Sequence, residues 1–266
     1  MAEISAAVVK ALREETGIGM MECKKALEEA KGDIAVAKDL LRKKGLTTAE
    51  KKAGRTTSEG LVAIKVASDR KSAAMIEVRC ETDFCARNDE FRSMTAALAE
   101  IASKASDGVV AVTGAMTERL QATLAKIGEN MSYARGVKIS APRIGVYLHH
   151  NSKVGVVVGI DGDIADETLN DLCMHIAFTD PMGITTDDVP ADLVAKEKQI
   201  AKEQAMASGK PEAIAEKMVV GKVRKFLEAN SLLEQPFVRD DSKKVKDVLG
   251  SAKIKAFVRF AVGSAS

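Results

Sequence analysis

A pattern of two β-strands joined by a turn and followed by an amphipathic helix occurs twice in this chain. In the first copy, strands at 61–66 and 73–79 flank a turn. In the second copy, strands at 144–149 and 154–160 do the same. Because neither copy is large, the repeat predicts an α+β fold in which two similar subdomains with antiparallel sheets pack together.

Apolar residues at helical spacing predict the helices of both copies. In the first copy one helix follows the second strand, another runs from about 116 to 129, and residues 133–141 form a further strand. In the second copy a strand at 253–262 completes the sheet. The apolar positions of the two main helices are Phe91, Met94, Leu98 and Ile101, and Leu169, Leu172 and Ile176.

The N-terminal part of the chain reads as three short helices around a thin core. Gly17 ends the first helix with a left-handed cap, and Asp33 can cap the third. In the second helix, Met20 lies on the apolar face, and Met21 lies about 100° around it and is more available to solvent. The apolar positions are Ile4, Val8 and Leu12; Met20, Cys23 and Leu27; and Ile34, Ala37, Leu40 and Leu41.

Two further segments connect or extend these units. Residues 44–59 predict a charged linker, partly helical near 48–53, whose lysines could contact RNA but which a solvated hinge explains better. Helices at 191–208 and up to about 230, joined by the turn Gly209-Lys210-Pro211, predict an antiparallel hairpin that projects as an arm. Its seam is predicted to contain Leu193, Ile200 and Ala201 facing Ile214, Met218 and Phe226.

The predicted divisions are residues 1–55 for the three-helix module and linker, 56–140 for the first subdomain, 141–180 with 231–266 for the second, and 181–230 for the hairpin inserted in it. The net charge of +2 argues against a dedicated nucleic-acid binder, and no apolar run approaches the length of a membrane span. The N-terminus lacks a signal pattern, so a cytoplasmic protein is expected. The four cysteines and three histidines have no metal-site spacing, and we expect no metal and no cofactor.

The polar connection after the second strand contains the tripeptide Thr82-Asp83-Phe84. The chain has only seven Phe, two Tyr and no Trp, so an aromatic residue between charged neighbours is unusual here. Phe84 either inserts into a partner or folds back to cap its own sheet, and both readings are open on these residues alone.

This tripeptide and the run LREETGIGMMECKKAL at 12–27 resemble the elongation factor Ts family, as does KIGEN at 126–130. The resemblance extends over essentially the whole chain. It implies an N-terminal module with a ubiquitin-associated-like (UBA-like) three-helix fold, a core of two subdomains that look duplicated, and a coiled-coil arm. In the family the arm serves homodimer or partner contacts.

The resemblance implies a guanine-nucleotide exchange factor that binds elongation factor Tu–GDP and promotes GDP release. It implies that Phe84 wedges between partner helices and disturbs the partner's Mg²⁺ site, that Asp83 supports it, and that Thr82 and Cys85 position the loop. Such a factor is not an enzyme. The pattern GxxxxGK[ST] is absent, so we expect no direct nucleotide binding.

Further partner-binding residues follow from the same resemblance. His149 matches a Tyr-x-His position, while His175 reads as structural. Gly128 is equally well explained as a helix cap. The complete predicted set of partner-binding residues is Leu12, Met20, Met21, Gly128, His149, Phe237 and Val238.

Two other classes of function predict different behaviour. A structural adaptor that uses the three-helix module predicts binding that does not depend on nucleotide state. An RNA-binding protein that uses the lysine-rich linker predicts a steep salt dependence, against which the even charge balance and the few aromatic residues argue.

Overall fold

The N-terminal module consists of three packed helices, in a computed structural model that describes residues 4–52, 54–207 and 211–264. The hydroxyl of Ser5 accepts the backbone N–H of Val8 at the start of the first helix, and Gly17 ends that helix at φ 68°. Asp33 Oδ1 caps the third helix by accepting two backbone N–H groups. The helices are α1 (Ala6–Thr16), α2 (Met20–Glu29) and α3 (Ile34–Lys52).

Helix α3 is longer than the sequence pattern suggested. The predicted linker at 44–59 is helical as far as Lys52, because Ala, Glu and Lys favour a helix and the segment has no proline. The ammonium group of Lys52 donates a hydrogen bond to the carbonyl of Gly128. The predicted helical end at Ala53 lies outside the described residues. The module is therefore joined to the core by a helix and the short segment 54–58.

The first subdomain is a four-stranded antiparallel sheet with helices on one face. The strand order is β1-β2-β4-β3, and the predicted hairpin of the first two strands is present. Ile76, Val78 and Cys80 point from one face of the sheet into a core shared with Phe91 and Leu98. The elements are β1 (Glu59–Val66), β2 (Ser72–Cys80), α4 (Asp83–Arg87), α5 (Asp89–Ala102), β3 (Gly108–Val109), α6 (Gly114–Ile127) and β4 (Met131–Ser140).

The second subdomain repeats the hairpin-and-helix arrangement with a three-stranded antiparallel sheet of order β5-β6-β9. Leu172, Cys173 and Ile176 pack its helix against Val156 and Val158 of the sheet. Its elements are β5 (Arg143–Leu148), β6 (Val154–Asp161), α7 (Asp166–Thr179), β7 (Pro236–Phe237), β8 (Asp240–Lys244), α10 (Val245–Leu249) and β9 (Lys253–Ala261).

The inserted arm is a pair of packed helices, α8 (Ala191–Ala207) and α9 (Glu212–Asn230). Ala201, Ala205 and Val219 are the buried residues of its seam. The prediction that Ile200 and Ile214 lie in the seam is wrong, since both are exposed. Small alanines occupy the contact, and the larger side chains lie beside it. Gly209 and Lys210 of the predicted turn lie outside the described residues.

The two sheets pack face to face through the sides that do not carry helices. Val62 and Met75 of the first sheet meet Val157 and Phe260 of the second in a common core. At Gly155 a β-carbon would lie 2.6 Å from Val62 Cγ1, so only glycine permits this close approach. The subdomains therefore form a sandwich with helices on its outer surfaces.

A buried ionic cluster crosses this sandwich. The carboxylate of Glu77 is completely buried and accepts hydrogen bonds of 2.7 Å from both Arg79 Nε and Arg135 Nε. It also accepts the backbone N–H of Gly263. The arginines bond in turn to backbone carbonyls of Ala261 and Ser264. Glu77 and Arg79 are polar residues that alternate with apolar ones along β2, and their side chains bond to the C-terminal segment of the second subdomain.

In the part of the chain that the structure describes, no helix is both long enough and apolar enough to cross a membrane.

Replacing Glu77 with alanine is expected to destabilise the sandwich by about 3–5 kcal/mol, because two partly buried guanidinium groups would lose their counter-charge. Urea denaturation of wild type and Glu77→Ala measures this change. Glu14→Ala, which removes only an exposed side chain paired at 3.8 Å with Lys10, is the matched control and should change little. Equal midpoints for the two variants would contradict a stabilising role of the cluster.

Candidate functional site

Phe84 lies in the first turn of the five-residue helix α4, not in an irregular connection as the sequence suggested. Thr82 caps this helix: its hydroxyl oxygen accepts the backbone N–H of Cys85 at 3.1 Å. The side chain of Phe84 is 78% exposed. The alternative that Phe84 folds back onto its own sheet is therefore wrong.

Glu129 holds the start of α4 from the opposite side. Its carboxylate accepts the backbone N–H of Thr82 at 3.1 Å and the Thr82 hydroxyl at 2.8 Å. The neighbouring Asn130 donates its backbone N–H to Glu81 at 2.6 Å. This bond is the main reason why the pKa of Glu81 lies below its ordinary value. The segment 128–130 thus fixes the residues that precede Phe84.

Sequence reasoning missed the role of Glu129, although the stretch at 126–130 was one that resembled the family. The sequence feature that could have identified Glu129 is its position as a carboxylate directly after Gly128, the glycine that ends a helix. Gly128 adopts φ 81° at the end of α6, and its carbonyl accepts the Lys52 ammonium. Gly128 therefore acts here as the helix cap that the sequence allowed as one alternative.

Two thiols lie beneath α4. Cys80 Sγ donates to the carbonyl of Thr82 at 3.2 Å, and both Cys80 and Cys85 are buried. A hydrogen bond with Cys85, together with burial, raises the pKa of the Cys80 thiol far above its ordinary range. The Cys80 thiol is therefore protonated, and the buried Cys85 side chain packs α4 onto the core.

The structure brings α4 close to the turn between β5 and β6. Asp83 is ion-paired with Arg87 at 2.8 Å, and both line a cavity of about 390 Å³ whose other wall includes His150 and Lys153. The adjacent His149 is partly buried, and its Nδ1 lies 2.8 Å from the hydroxyl of Tyr147. The predicted residues at 82–85 and the turn that contains His149 thus form one continuous region built from both subdomains.

The predicted partner contacts of the N-terminal module divide into exposed and buried residues. Met21 is 63% exposed and Met20 is 45% exposed, so the expectation that Met20 points inward is wrong. Leu12 is only 1% exposed and packs in the core of the module with Cys23 and Leu27. Its side chain supports the module from inside and does not form part of its surface, because the stripe that predicted the helix is the stripe that is buried.

The buried His175 ring contacts the side chain of Phe237 and the backbone of Val238. Phe237 is buried and stacks on the His175 ring at a centroid distance of 5.8 Å, whereas Val238 is 45% exposed. Val238 donates its backbone N–H to His175 Nδ1 at 3.2 Å, so the other ring nitrogen carries the hydrogen and donates to Gln235 Oε1 at 2.9 Å. His175 is thus structural, as predicted, and burial lowers its pKa.

Comparison with known proteins places this architecture in a family. The family model described as "Elongation factor TS" matches residues 81–264. The protein "Elongation factor Ts" of Sodalis glossinidius is 48% identical over 271 aligned residues, which cover 99% of this chain and 93% of that protein.

The chain belongs to the elongation factor Ts family.

Other relatives show the same extent of similarity. Elongation factor Ts of Hahella chejuensis is 45% identical over 99% of this chain and 93% of that protein, and that of Clostridium botulinum is 41% identical over 98% and 93%. Family membership makes the chain a translation elongation factor. The matched region begins at Glu81, directly before the Thr82 cap, so α4 lies within it. Among the described residues, no group of three His, Cys, Asp or Glu side chains could hold a metal ion.

Replacing Glu129 with alanine is expected to loosen α4, because Thr82 loses the acceptor of both its N–H and its hydroxyl. Hydrogen exchange of the Cys85 and Ala86 amides should become about five- to thirtyfold faster, which corresponds to about 1–2 kcal/mol. Glu118→Ala on α6, the helix that precedes Glu129, removes only a surface pair with Arg42 and is the control. Unchanged protection in Glu129→Ala would show that α4 is held without this carboxylate.

The stability of the second subdomain is expected to fall as the pH drops below about 6.5. The pKa of His175 is lowered in the folded state. Above about pH 6.5 the His175 ring is therefore neutral in both the folded and the unfolded chain, and the free energy of unfolding is not reduced by its titration. At lower pH the unfolded chain binds a proton that the buried ring resists, at a cost of at most about 1.4 kcal/mol per pH unit. His175→Gln should unfold more easily at pH 7 but show a shallower loss towards pH 5. Parallel denaturation curves would refute this role.

Proposed function

We propose that this chain is a guanine-nucleotide exchange factor that binds elongation factor Tu–GDP and promotes release of GDP so that GTP can bind. The observation that carries the proposal is the exposed Phe84 side chain on a helix whose start is tied down by Thr82 and Glu129. A large apolar side chain held in one orientation in water is a suitable anchor for a pocket on another protein.

An exchange factor needs a surface that prefers the nucleotide-free partner. The two binding events are linked. If bound nucleotide weakens the partner's affinity for the exchange factor by some factor, the bound exchange factor weakens the partner's affinity for nucleotide by the same factor. The partner's magnesium ion offers a sensitive target, because Mg²⁺ demands near-ideal octahedral geometry and helps to hold the phosphates. Insertion of Phe84 between helices of the partner would displace ligands of this ion and release the nucleotide.

The residues around Phe84 support this role without any chemical step of their own. Asp83 is held by Arg87 on the next turn of α4, and Thr82 and Cys85 fix the helix on the core. Because the working element is a wedge, the chain acts by binding and does not itself catalyse a reaction or bind the nucleotide.

Other surfaces dock the partner in this proposal. Met20 and Met21 on the module, His149 beside α4 and Val238 on the second subdomain are all at least partly accessible. The arm carries exposed apolar side chains, among them Met206, which suit a homodimer or a partner contact. Like the partner, the chain would work in the cytoplasm.

Phe84→Ala is expected to lose most of the acceleration of GDP release, about thirtyfold or more, because it removes an anchor of the hot-spot class. The measurement follows fluorescent GDP leaving elongation factor Tu at saturating concentrations of the chain. Phe178→Ala is the matched control, since Phe178 is 81% exposed but lies on α7 of the second subdomain. Asp83→Ala should show a smaller loss.

The outcomes of this experiment distinguish exchange driven by α4 from two alternative hypotheses. If wild type binds elongation factor Tu but leaves the release rate unchanged, the exchange function is wrong and a nucleotide-independent adaptor takes its place. If Phe84→Ala and Phe178→Ala behave alike, exchange stands but α4 is not the element that drives it.

A further inference from the structure

A groove lined by several basic side chains runs beside α4. The cavity of about 390 Å³ next to Asp83 is lined by Arg87, Arg92, His150 and Lys153. A second cavity of about 400 Å³ continues from it along β1, and Arg92 lines both. Arg92 therefore lies at the centre of the groove, between the α4 end and the open side of the first sheet.

The charges in the first cavity do not balance. Arg87 is paired with Asp83 at 2.8 Å, and Lys153 is paired with Glu59 at 2.6 Å. Arg92, by contrast, makes no side-chain hydrogen bond or ion pair with any residue that the structure describes. The groove thus has one uncompensated guanidinium group.

The position of Arg92 in its helix gives no structural reason for its charge. It follows Asp89, Glu90 and Phe91 in the first turns of α5, where the helix dipole favours acidic side chains and disfavours a cation. Glu90 is already paired with Lys126 at 3.2 Å. A charge placed against the local electrostatic preference and left unpaired is typical of a residue that meets a partner.

We propose that Arg92 binds a carboxylate on the surface of the GTPase, with Arg87 and His150 at either side of it. This inference rests on the proposed function. Asp83, Ala86 and Arg87 of α4 line the groove, so a protein surface that receives the neighbouring Phe84 would lie against the mouth of the groove and would exclude water from it. An arginine guanidinium pairs with a carboxylate through two parallel hydrogen bonds, and the pairing strengthens as water leaves.

The occupant is an acidic protein side chain rather than a nucleic acid. One uncompensated arginine in a chain of net charge +2 provides too little positive charge for the several phosphate contacts on which nucleic-acid affinity depends. No Phe, Tyr or Trp lines the described part of the groove, so the His150 ring is its one aromatic surface for stacking a base.

The test compares Arg92→Gln and Arg92→Glu with Lys71→Gln. Lys71 is an exposed cation in the turn at the opposite end of the β1–β2 hairpin, so its variant changes the net charge by the same one unit as Arg92→Gln at a distant place. Stopped-flow association with elongation factor Tu–GDP is measured at about 0.03 M and about 0.3 M salt. We expect association about threefold slower for Arg92→Gln and about tenfold slower for Arg92→Glu at low salt, with smaller differences at high salt. Lys71→Gln should match wild type.

A charge reversal on the partner identifies the carboxylate. Exposed acidic residues of elongation factor Tu are changed to lysine one at a time, and one such change should restore association of Arg92→Glu. Failure of every such change to restore it would overturn the carboxylate assignment. So would a loss of affinity of Arg92→Gln for a fluorescent single-stranded RNA with unchanged association with the GTPase.

The design separates this inference from the proposed function. Once bound, Arg92→Gln retains Phe84, so its rate of GDP release at saturation should equal that of wild type. If wild type fails to bind elongation factor Tu or to accelerate release, the proposed function itself is wrong. If wild type is active and both Arg92 variants match Lys71→Gln, only the role of Arg92 is refuted.

Discussion

The completely buried carboxylate of Glu77 lies between two partly buried guanidinium groups, and this cluster joins the two subdomains. Arg79 and Arg135 bond to this carboxylate and also to the carbonyls of Ala261 and Ser264, so the C-terminal strand is tied to the first sheet. Buried charges hold a geometry well because any displacement leaves one of them unpaired. Since α4 belongs to one subdomain and the β5–β6 turn to the other, this cluster and the apolar core between the sheets together place the two walls of the groove side by side.

In the proposed function, Phe84 would be an effective anchor because its surroundings are already ordered. The cap at Thr82, the carboxylate of Glu129 and the buried Cys85 fix α4 before any partner arrives. The conformational entropy lost on binding is therefore mainly that of one aromatic side chain with two rotatable bonds. The same region that exposes an apolar side chain to water is thus among the best-supported parts of the surface.

The hairpins, the main helices and the arm could be predicted from the sequence because each has a clear apolar period. Helix α4 could not, since five residues contain too little of a helical repeat to recognise. The alternation of polar and apolar residues along β2 puts Glu77 and Arg79 on one side of the strand, but alternation cannot say whether that side meets water or another sheet. In the site, the resemblance named Phe84, whereas the partnership of Thr82 and Glu129 joins residues far apart in the chain and emerged only from the folded structure.

The length of helix α3 relates the position of the three-helix module to that of the core. Its 19 residues rise about 1.5 Å each and so span about 28 Å, with the three-helix module at one end and the Lys52 contact to Gly128 at the other. Adding or removing one residue would rotate the module by about 100° about the helix axis, whereas three or four would nearly restore its direction at a changed height. Because α3 also packs against α6, such a rotation would break that packing, so the orientation of Met20 and Met21 relative to Phe84 depends on both the length and the docking of this helix.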